Sequence, residues 1–299
     1  MSAQNRQLRS GIRLIVLASV LWGTVGIATQ AIYRQSDITA ITVGFYRIAL
    51  ALPFVGALCW AMVGRRVLLV SRRHYPRMAA VGVMLAFYQV CYFSSISFVG
   101  VAIATLVTLC TAPAIVALLS IVWLKERMTG RILLALVLAL SGTCLLVGMP
   151  ESLASRDDLL SGIMLALGSA TGYAIVTLVG KSLAGEVDPL HSTTVSFAAG
   201  ALSLLPLALA DGMTLQMSAE VWSLLGYIGL VPTATAYFCF FKALRHVKAS
   251  TSSVITLLEP LTATFLAWLL FDERLGIIGM LGGLLLLAAI LVLYRGEES

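Results

Sequence analysis

Residues 113–127 read PAIVALLSIVWLKER, and residues 260–274 read PLTATFLAWLLFDER. The two stretches lie 147 residues apart (260 − 113 = 147), and in each of them a proline is followed thirteen positions later by Glu-Arg without a gap. The residues between are almost all apolar, so both copies belong to hydrophobic segments of membrane length. A membrane segment that recurs with a helix-breaking proline at the matching position indicates a transporter built from two halves.

The composition of the chain is that of a membrane protein. Hydrophobic residues make up 60% of the 299 residues, charged residues make up 11%, and the mean hydropathy is +0.98. Soluble domains carry about 25% charged residues, so an ordinary soluble domain is excluded. Apolar segments of about 20 residues recur along the whole length, and each is long enough to cross roughly 30 Å of hydrocarbon.

Ten membrane-spanning helices are predicted, which we number as segments 1 to 10. The loops between them are short, and none is long enough to be a second domain. The five cysteines lie inside predicted helices at spacings that fit neither a metal site nor a disulfide framework. The predicted helices cover about 12–33, 38–60, 77–96, 100–123, 131–149, 159–180, 190–210, 219–241, 249–271 and 276–294.

The distribution of Lys and Arg orients these helices. With the N-terminus in the cytoplasm, sixteen of the 20 basic residues lie on the inner side and three in outer loops, while Arg47 lies within segment 2. This bias follows the positive-inside rule, so both termini are predicted to be cytoplasmic. The topology explains the net charge of +6, and no nucleic-acid partner is expected.

The number of helices fixes the relation between the halves. Residues 12–149 form the first predicted five-helix repeat and residues 159–294 the second. Because five is odd, the second repeat enters the membrane from the opposite side. Pro53 and Pro206, in segments 2 and 7, form a second matching pair. The predicted fold is therefore an all-α integral membrane protein with ten transmembrane helices in two inverted five-helix repeats.

Pro113 and Pro260 are predicted to shape a cavity or hinge between the halves. A proline inside a helix frees the carbonyl four residues earlier, here those of Leu109 and Thr256. A free carbonyl in lipid costs several kcal/mol and needs a partner. Nearby Thr and Ser hydroxyls offer an alternative, in which each proline only kinks a packing helix. For a symmetric pair of prolines we favour the cavity.

Arg47 and Glu259 are the two charged side chains that lie well inside predicted segments. A charge at mid-membrane costs roughly 2.5–3.5 kcal/mol on insertion scales, so each needs a partner. Arg47 is expected to face the interior near Glu259 or the freed carbonyls, as a structural clamp or as a ligand for a substrate carboxylate. Glu259 is expected to couple transport to protons or substrate, or to be a structural, neutral acid.

Aromatic residues at helical spacing predict an apolar pocket. Tyr88 and Tyr92 share one face of segment 3, as Tyr237 and Phe241 do in segment 8. Any one of them fits packing or lipid contact, but together with Trp22 in segment 1 and Tyr173 in segment 6 they are expected to line a mostly apolar pocket with a few polar groups. Such a pocket suits aliphatic or aromatic amino acids and amphiphilic drugs. The predicted substrate-binding residues are Trp22, Arg47, Tyr88, Gln89, Tyr92, Tyr173, Tyr237 and Glu259.

Three features resemble the EamA-type families of the drug/metabolite transporter superfamily: VLWGTVGIATQ at 20–30, the paired Pro…Glu-Arg segments, and YFCFFKALRHVKASTSSVITLLEPLTATFLAWLLFDERL at 237–275. The aromatic content of segments 3 and 8 is similar to that of the amino-acid exporter (YddG-like) branch. The resemblance implies a secondary transporter of the bacterial inner (cell) membrane. Four-helix multidrug relatives carry a functional Glu in their first helix, and segment 1 has no acidic residue. Proton-coupled cation export by that route is therefore not expected.

The expected function is export of small metabolites, above all amino acids, by alternating access around a central apolar cavity. A multidrug or amphiphilic-cation exporter is the alternative, and a channel comes after it. The histidines, His74, His191 and His246, are isolated, so neither an enzyme nor a metal or cofactor site is expected. The expected partners are a small-molecule substrate and the lipid bilayer, with a proton as the open question, and the expected state is a monomer.

Overall fold

The computed structural model describes residues 3–64, 70–147, 156–271 and 276–295. Within these ranges the protein is helical and contains no β-strand, and ten helical stretches are long and apolar enough to cross a membrane. The prediction of an all-α protein with ten spans is therefore confirmed, and the spans keep the numbers of the predicted segments. Glu273 and Arg274 of the second repeated stretch, and the repeat boundary at 149, lie outside the described residues.

Most spans are single helices. Span 1 begins at Ala3, well before the predicted start, and a 3₁₀ turn at Arg72–His74 precedes span 3. In chain order the helices are Ala3–Tyr33 (span 1), Ala40–Val63 (span 2), Tyr75–Trp123 (spans 3 and 4), Gly130–Val147 (span 5), Arg156–Leu183 (span 6), Pro189–Ala210 (span 7), Ala219–Ile228 and Ala236–Ala243 (span 8), Ala249–Ile255 and Leu258–Phe271 (span 9), and Ile277–Arg295 (span 10).

Spans 3 and 4 follow each other without a loop. The chain turns at Gly100, whose φ of 76° lies in the region that glycine adopts without steric cost. Span 4 then continues as regular helix past Pro113. Span 9, in contrast, is interrupted at residues 256–257, just before Pro260. The two proline-containing segments are therefore alike in sequence but differ in conformation.

Span 8 contains a wide turn at its centre. Residues Gly229–Thr235 form a π-helical turn that includes Pro232. Proline has no N–H to donate to the carbonyl four residues earlier, so a regular α-helix cannot pass through this position unbroken. Wide turns of this kind are frequent at functional sites. This turn positions Thr233 and, one turn later, Tyr237.

The main hydrophobic core runs through the centre of the bundle. Phe197 of span 7 and Phe240 of span 8 are fully buried there. Large apolar side chains on spans 4 and 10 point outward, and Val122 and Ile277 are 79% and 74% exposed. Exposing large apolar side chains to water is unfavourable, whereas exposing them to the hydrocarbon of a lipid bilayer is not. The outer surface is therefore suited to a bilayer.

Candidate functional site

A cavity of about 590 Å³ lies between spans 1, 2, 3, 4, 6, 8 and 9. Its wall is mostly apolar, and its volume is in the range of small-molecule sites. All eight residues predicted to bind substrate line it, and so does Pro113. Pro260 is buried beside Glu259 and does not contribute to the wall. The structure thus brings together residues from seven spans.

The cavity extends toward one end of the bundle. We call the end where span 1 begins the N-side and the other end the far side. Tyr33 ends span 1, Ala40 begins span 2 and Val101 follows the turn at Gly100, so all three lie on the far side. Each of them lines the cavity. The cavity therefore reaches from the middle of the bundle to the far side.

Arg47 is positioned from span 8. Its Nε donates a hydrogen bond of 3.1 Å to Oγ1 of Thr233 in the π-helical turn. The expected partners were Glu259 or a freed carbonyl, and the described residues show no ion pair between Arg47 and Glu259. Thr233 was not predicted from the sequence, although Gly229 and Pro232 close to it signal an irregular helix.

Glu259 lies immediately after the interruption of span 9. Its backbone N–H donates a hydrogen bond of 3.0 Å to the Thr256 carbonyl, the group that Pro260 was expected to leave free. The local turn therefore satisfies this carbonyl, and the expectation of a free one is wrong here. The Glu259 side chain lines the cavity and makes no hydrogen bond or ion pair with another described residue.

Tyrosines form the aromatic wall, and their hydroxyls are paired. The hydroxyls of Tyr88 and Tyr237 lie 2.6 Å apart, and Tyr173 donates to Oγ1 of Thr256 at 3.1 Å. The indole of Trp22 meets the ring of Tyr237 edge-on, with 5.1 Å between the ring centroids. Tyr92 is paired with Oγ1 of Thr105 at 2.7 Å. Because these hydroxyls are already paired, the rings are free to offer apolar surface to a ligand.

Three buried polar atoms at the cavity have no hydrogen-bond partner among the described residues. They are Nε1 of Trp22, Nε2 of Gln89 and Oγ of Ser169, and the three side chains are 6%, 5% and 0% exposed. An unpaired buried polar atom costs about 1–3 kcal/mol, which is recovered if a ligand supplies the partner. Ser169 was missed from the sequence, although it lies one helical turn before Tyr173.

Glu126, from the first repeated stretch, binds the start of span 9 on the N-side. Its carboxylate accepts hydrogen bonds from the backbone N–H groups of Ala249 and Ser250 at 2.7 and 3.2 Å, and from Oγ of Ser250 at 2.8 Å. Free N–H groups at a helix N-terminus favour an anionic partner. Glu126 therefore ties the end of span 4 to the start of span 9, a role that the sequence did not predict.

Further bonds close the N-side between the connections of spans 6–7 and 8–9. Nζ of Lys181 donates to the carbonyls of Leu244 and Val247 at 2.7 and 2.8 Å. Arg245 donates in return to the carbonyls of Ala184 and Val187 at 2.8 and 3.0 Å. The N-side is therefore tied together by hydrogen bonds, while the cavity extends to the far side.

An ion pair adds to this closure at the surface. Nη2 of Arg77, at the start of span 3, lies 2.6 Å from the carboxylate of Glu186, which belongs to the connection between spans 6 and 7. The hydrogen bond from Arg77 holds the pKa of Glu186 below its usual range. The carboxylate is therefore ionised at neutral pH and remains a partner for Arg77.

Comparison with known proteins identifies relatives over nearly the whole chain. An uncharacterized transporter of Bacillus subtilis, YwfM, is 31% identical over 93% of this chain and 92% of its own length. An uncharacterized transporter of Archaeoglobus fulgidus is 30% identical, covering 97% and 98%. The pseudopaline exporter CntI of Pseudomonas aeruginosa is 25% identical, covering 98% of each chain.

A solved crystal structure has the same fold. It matches with a TM-score of 0.82 over 97% of this chain and 99% of the other, at 19% identity. The sequence profile of the EamA-like transporter family matches this chain twice, at residues 9–148 and 160–295. These two matches cover the chain from span 1 to span 10. The protein therefore belongs to the EamA-like transporter family and is a multi-pass membrane transporter.

Proposed function

We propose that the protein exports small metabolites, most of all aromatic and aliphatic amino acids, by alternating access around the central cavity. The observation that carries this proposal is the cavity itself, because it combines a mostly apolar wall with one cation, Arg47, and one carboxylate, Glu259. Phosphorylated sugars would need several inward basic residues, and Arg47 is the one Lys or Arg that lines the cavity among the described residues.

Export of amphiphilic cations is the second candidate. An unpaired carboxylate beside aromatic rings favours a cation, since both attract positive charge. Arg47 in the same wall opposes a ligand that carries only positive charge. It favours a ligand that also carries a carboxylate. Export as the direction of transport is supported by one relative, CntI, which is a pseudopaline exporter.

Alternating access is supported by the asymmetry of the bundle and by a repeated contact. Spans 3 and 7 correspond to spans 8 and 2 in the predicted inverted repeat. In each pair a glycine of one span packs against the same three groups of the other span. Gly82 packs against the Ser196 carbonyl, the Ala199 side chain and the Gly200 amide. Gly229 packs against the Arg47 carbonyl, the Leu50 side chain and the Ala51 amide, with the same spacing along the chain. Such a repeat lets one fold adopt two opposite-facing states.

We further propose that the N-side is cytoplasmic and that the membrane is the bacterial inner membrane. The support is the excess of Lys and Arg on the N-side. In this orientation the cavity extends toward the outside. Green fluorescent protein fused after Ser299 is then expected to fluoresce. If this fusion were dark and an alkaline phosphatase fusion at the same position were active, the C-terminus would lie outside and the proposed orientation would be wrong.

Transport by purified protein in liposomes tests the proposed function. We expect saturable uptake of labelled phenylalanine, tyrosine or leucine, and weak uptake of tetraphenylphosphonium. The screen is run with and without a proton gradient, which separates coupled from facilitated transport. Empty liposomes and liposomes with heat-inactivated protein are the controls. Uptake of the cation alone would replace the amino-acid assignment by the cation exporter.

A further inference from the structure

We propose that the cavity binds its substrate as a zwitterion. The carboxylate of the substrate lies at Arg47 and Gln89, its ammonium group at Glu259, and its apolar side chain against the tyrosines. This inference rests on the proposed function and adds to it the recognition of both charges and the orientation of the bound molecule. Ligands with only one of the two charges are then poor substrates.

The basic and the acidic side chain in the wall, Arg47 and Glu259, do not form an ion pair with each other. Arg47 and Glu259 line the same cavity, yet they are beyond ion-pair distance of each other. If these two side chains served only to stabilise the bundle, they would be expected to form an ion pair, because each isolated charge is costly at membrane depth. Two separated opposite charges are complementary to a ligand that carries both charges.

The site for the carboxylate of the substrate is formed by two hydrogen-bond donors, Arg47 on span 2 and Gln89, which packs against span 2. Arg47 uses its Nε for Thr233, which leaves the two terminal NH₂ groups, and a guanidinium binds carboxylates in a fork-like geometry. The unpaired Nε2 of Gln89 packs against Gly44 of span 2. The contact is so close that a Cβ atom added to Gly44 would lie 1.7 Å from this nitrogen. Gly44 and Arg47 are three residues apart and share a helix face.

The ammonium end is defined by Glu259 and by nearby aromatic rings. A Cβ built on Gly23 would lie 2.8 Å from the Glu259 carbonyl, so spans 1 and 9 touch at this level. The preceding residue, Trp22, packs against Tyr237. Aromatic faces attract cations, and indole does so most strongly. Glu259 and Trp22 thus lie at one level of the bundle and both line the cavity, a setting that favours an ammonium group.

Binding of charge-deleted analogues to the purified full-length protein tests this assignment. The ligands are phenylalanine, phenylalanine amide, which lacks the carboxylate, and N-acetylphenylalanine, which lacks the ammonium group. We expect each analogue to bind at least about tenfold more weakly than phenylalanine, since each loses the charge-assisted hydrogen bonds of one end of the molecule. Leucine is expected to bind as a zwitterion too.

The variants assign each end of the ligand. Arg47→Gln is expected to remove the difference between phenylalanine and its amide. Glu259→Gln is expected to remove the difference between phenylalanine and N-acetylphenylalanine, and Gln89→Met to weaken only the ligands that carry a carboxylate. Arg72→Gln and Glu220→Gln, at exposed positions outside the cavity, are matched controls that keep both differences. Thermal melting of every variant verifies its folding.

Two results would overturn the inference. One is failure of both phenylalanine and leucine to bind, and the other is binding of phenylalanine amide or N-acetylphenylalanine as tight as that of phenylalanine. In the second case amino-acid transport itself still stands if liposomes take up phenylalanine. Zwitterion-selective binding without any uptake would support the inference and remove the proposed function.

Discussion

Three polar side chains, each positioned in a different way, determine the chemistry of this cavity. Arg47 is oriented by one hydroxyl from span 8, and Glu259 is presented by a break in span 9. Gln89 is different, because its amide nitrogen is held against a glycine and has no partner among the described residues. The position of Gln89 therefore depends on the absence of a side chain at Gly44.

The substitution Gly44→Ala tests this dependence. The added methyl group would lie 1.7 Å from Nε2 of Gln89, so this flexible amide has to move away. We expect the affinity for phenylalanine to fall roughly tenfold, with little change in melting temperature. Gly56→Ala in the same helix is the matched control, because its methyl group would have 3.8 Å to the nearest atom. Equal affinity in both variants would separate Gln89 from substrate binding.

The helices that contain the two repeated stretches differ just before the proline. Span 4 runs unbroken past Pro113, whereas span 9 is interrupted before Pro260. The end of span 4 is bound to the start of span 9 through Glu126, and Lys248 adds a bond of 3.1 Å to the Arg127 carbonyl. These bonds connect the two proline-containing elements on the closed side, so opening of the N-side has to break them.

Glu126→Gln tests this connection. An amide keeps one acceptor oxygen and loses the charge that favours the helix N-terminus, so the closed N-side is expected to lose stability. Spin labels at Arg127 and His246, in a background without the five native cysteines, report the distance across the closure. We expect a second, longer distance in Glu126→Gln.

Lys248→Gln is a milder variant for the same spin-label distance measurement. It removes one exposed bond to the Arg127 carbonyl and leaves the carboxylate of Glu126 in place. We expect a smaller change than in Glu126→Gln. Identical distance distributions in the two variants and the parent protein would mean that Glu126 does not hold the N-side closed.

At the scale of the whole molecule, periodic and repeated features were predictable and tertiary contacts were not. The ten spans follow from hydropathy, and the cavity residues from charges and aromatics that are costly or unusual in lipid. Thr233 and Ser169 were missed because Thr and Ser are common in membrane helices, and only tertiary packing brings Thr233 to Arg47 and Ser169 to the cavity wall. The open side was not predictable, because both repeated stretches carry the same Pro…Glu-Arg pattern.

In the proposed mechanism this bundle is a carrier, in which one cavity is exposed to each side in turn. Counterflow distinguishes such a carrier from a channel. Liposomes that contain the protein are loaded with unlabelled phenylalanine and diluted into a trace of labelled phenylalanine. A carrier predicts a transient accumulation of label above the outside concentration, and the accumulation should weaken in Arg47→Gln. Equilibration of label without an overshoot, at a rate that does not saturate, would rule out a carrier and indicate a channel.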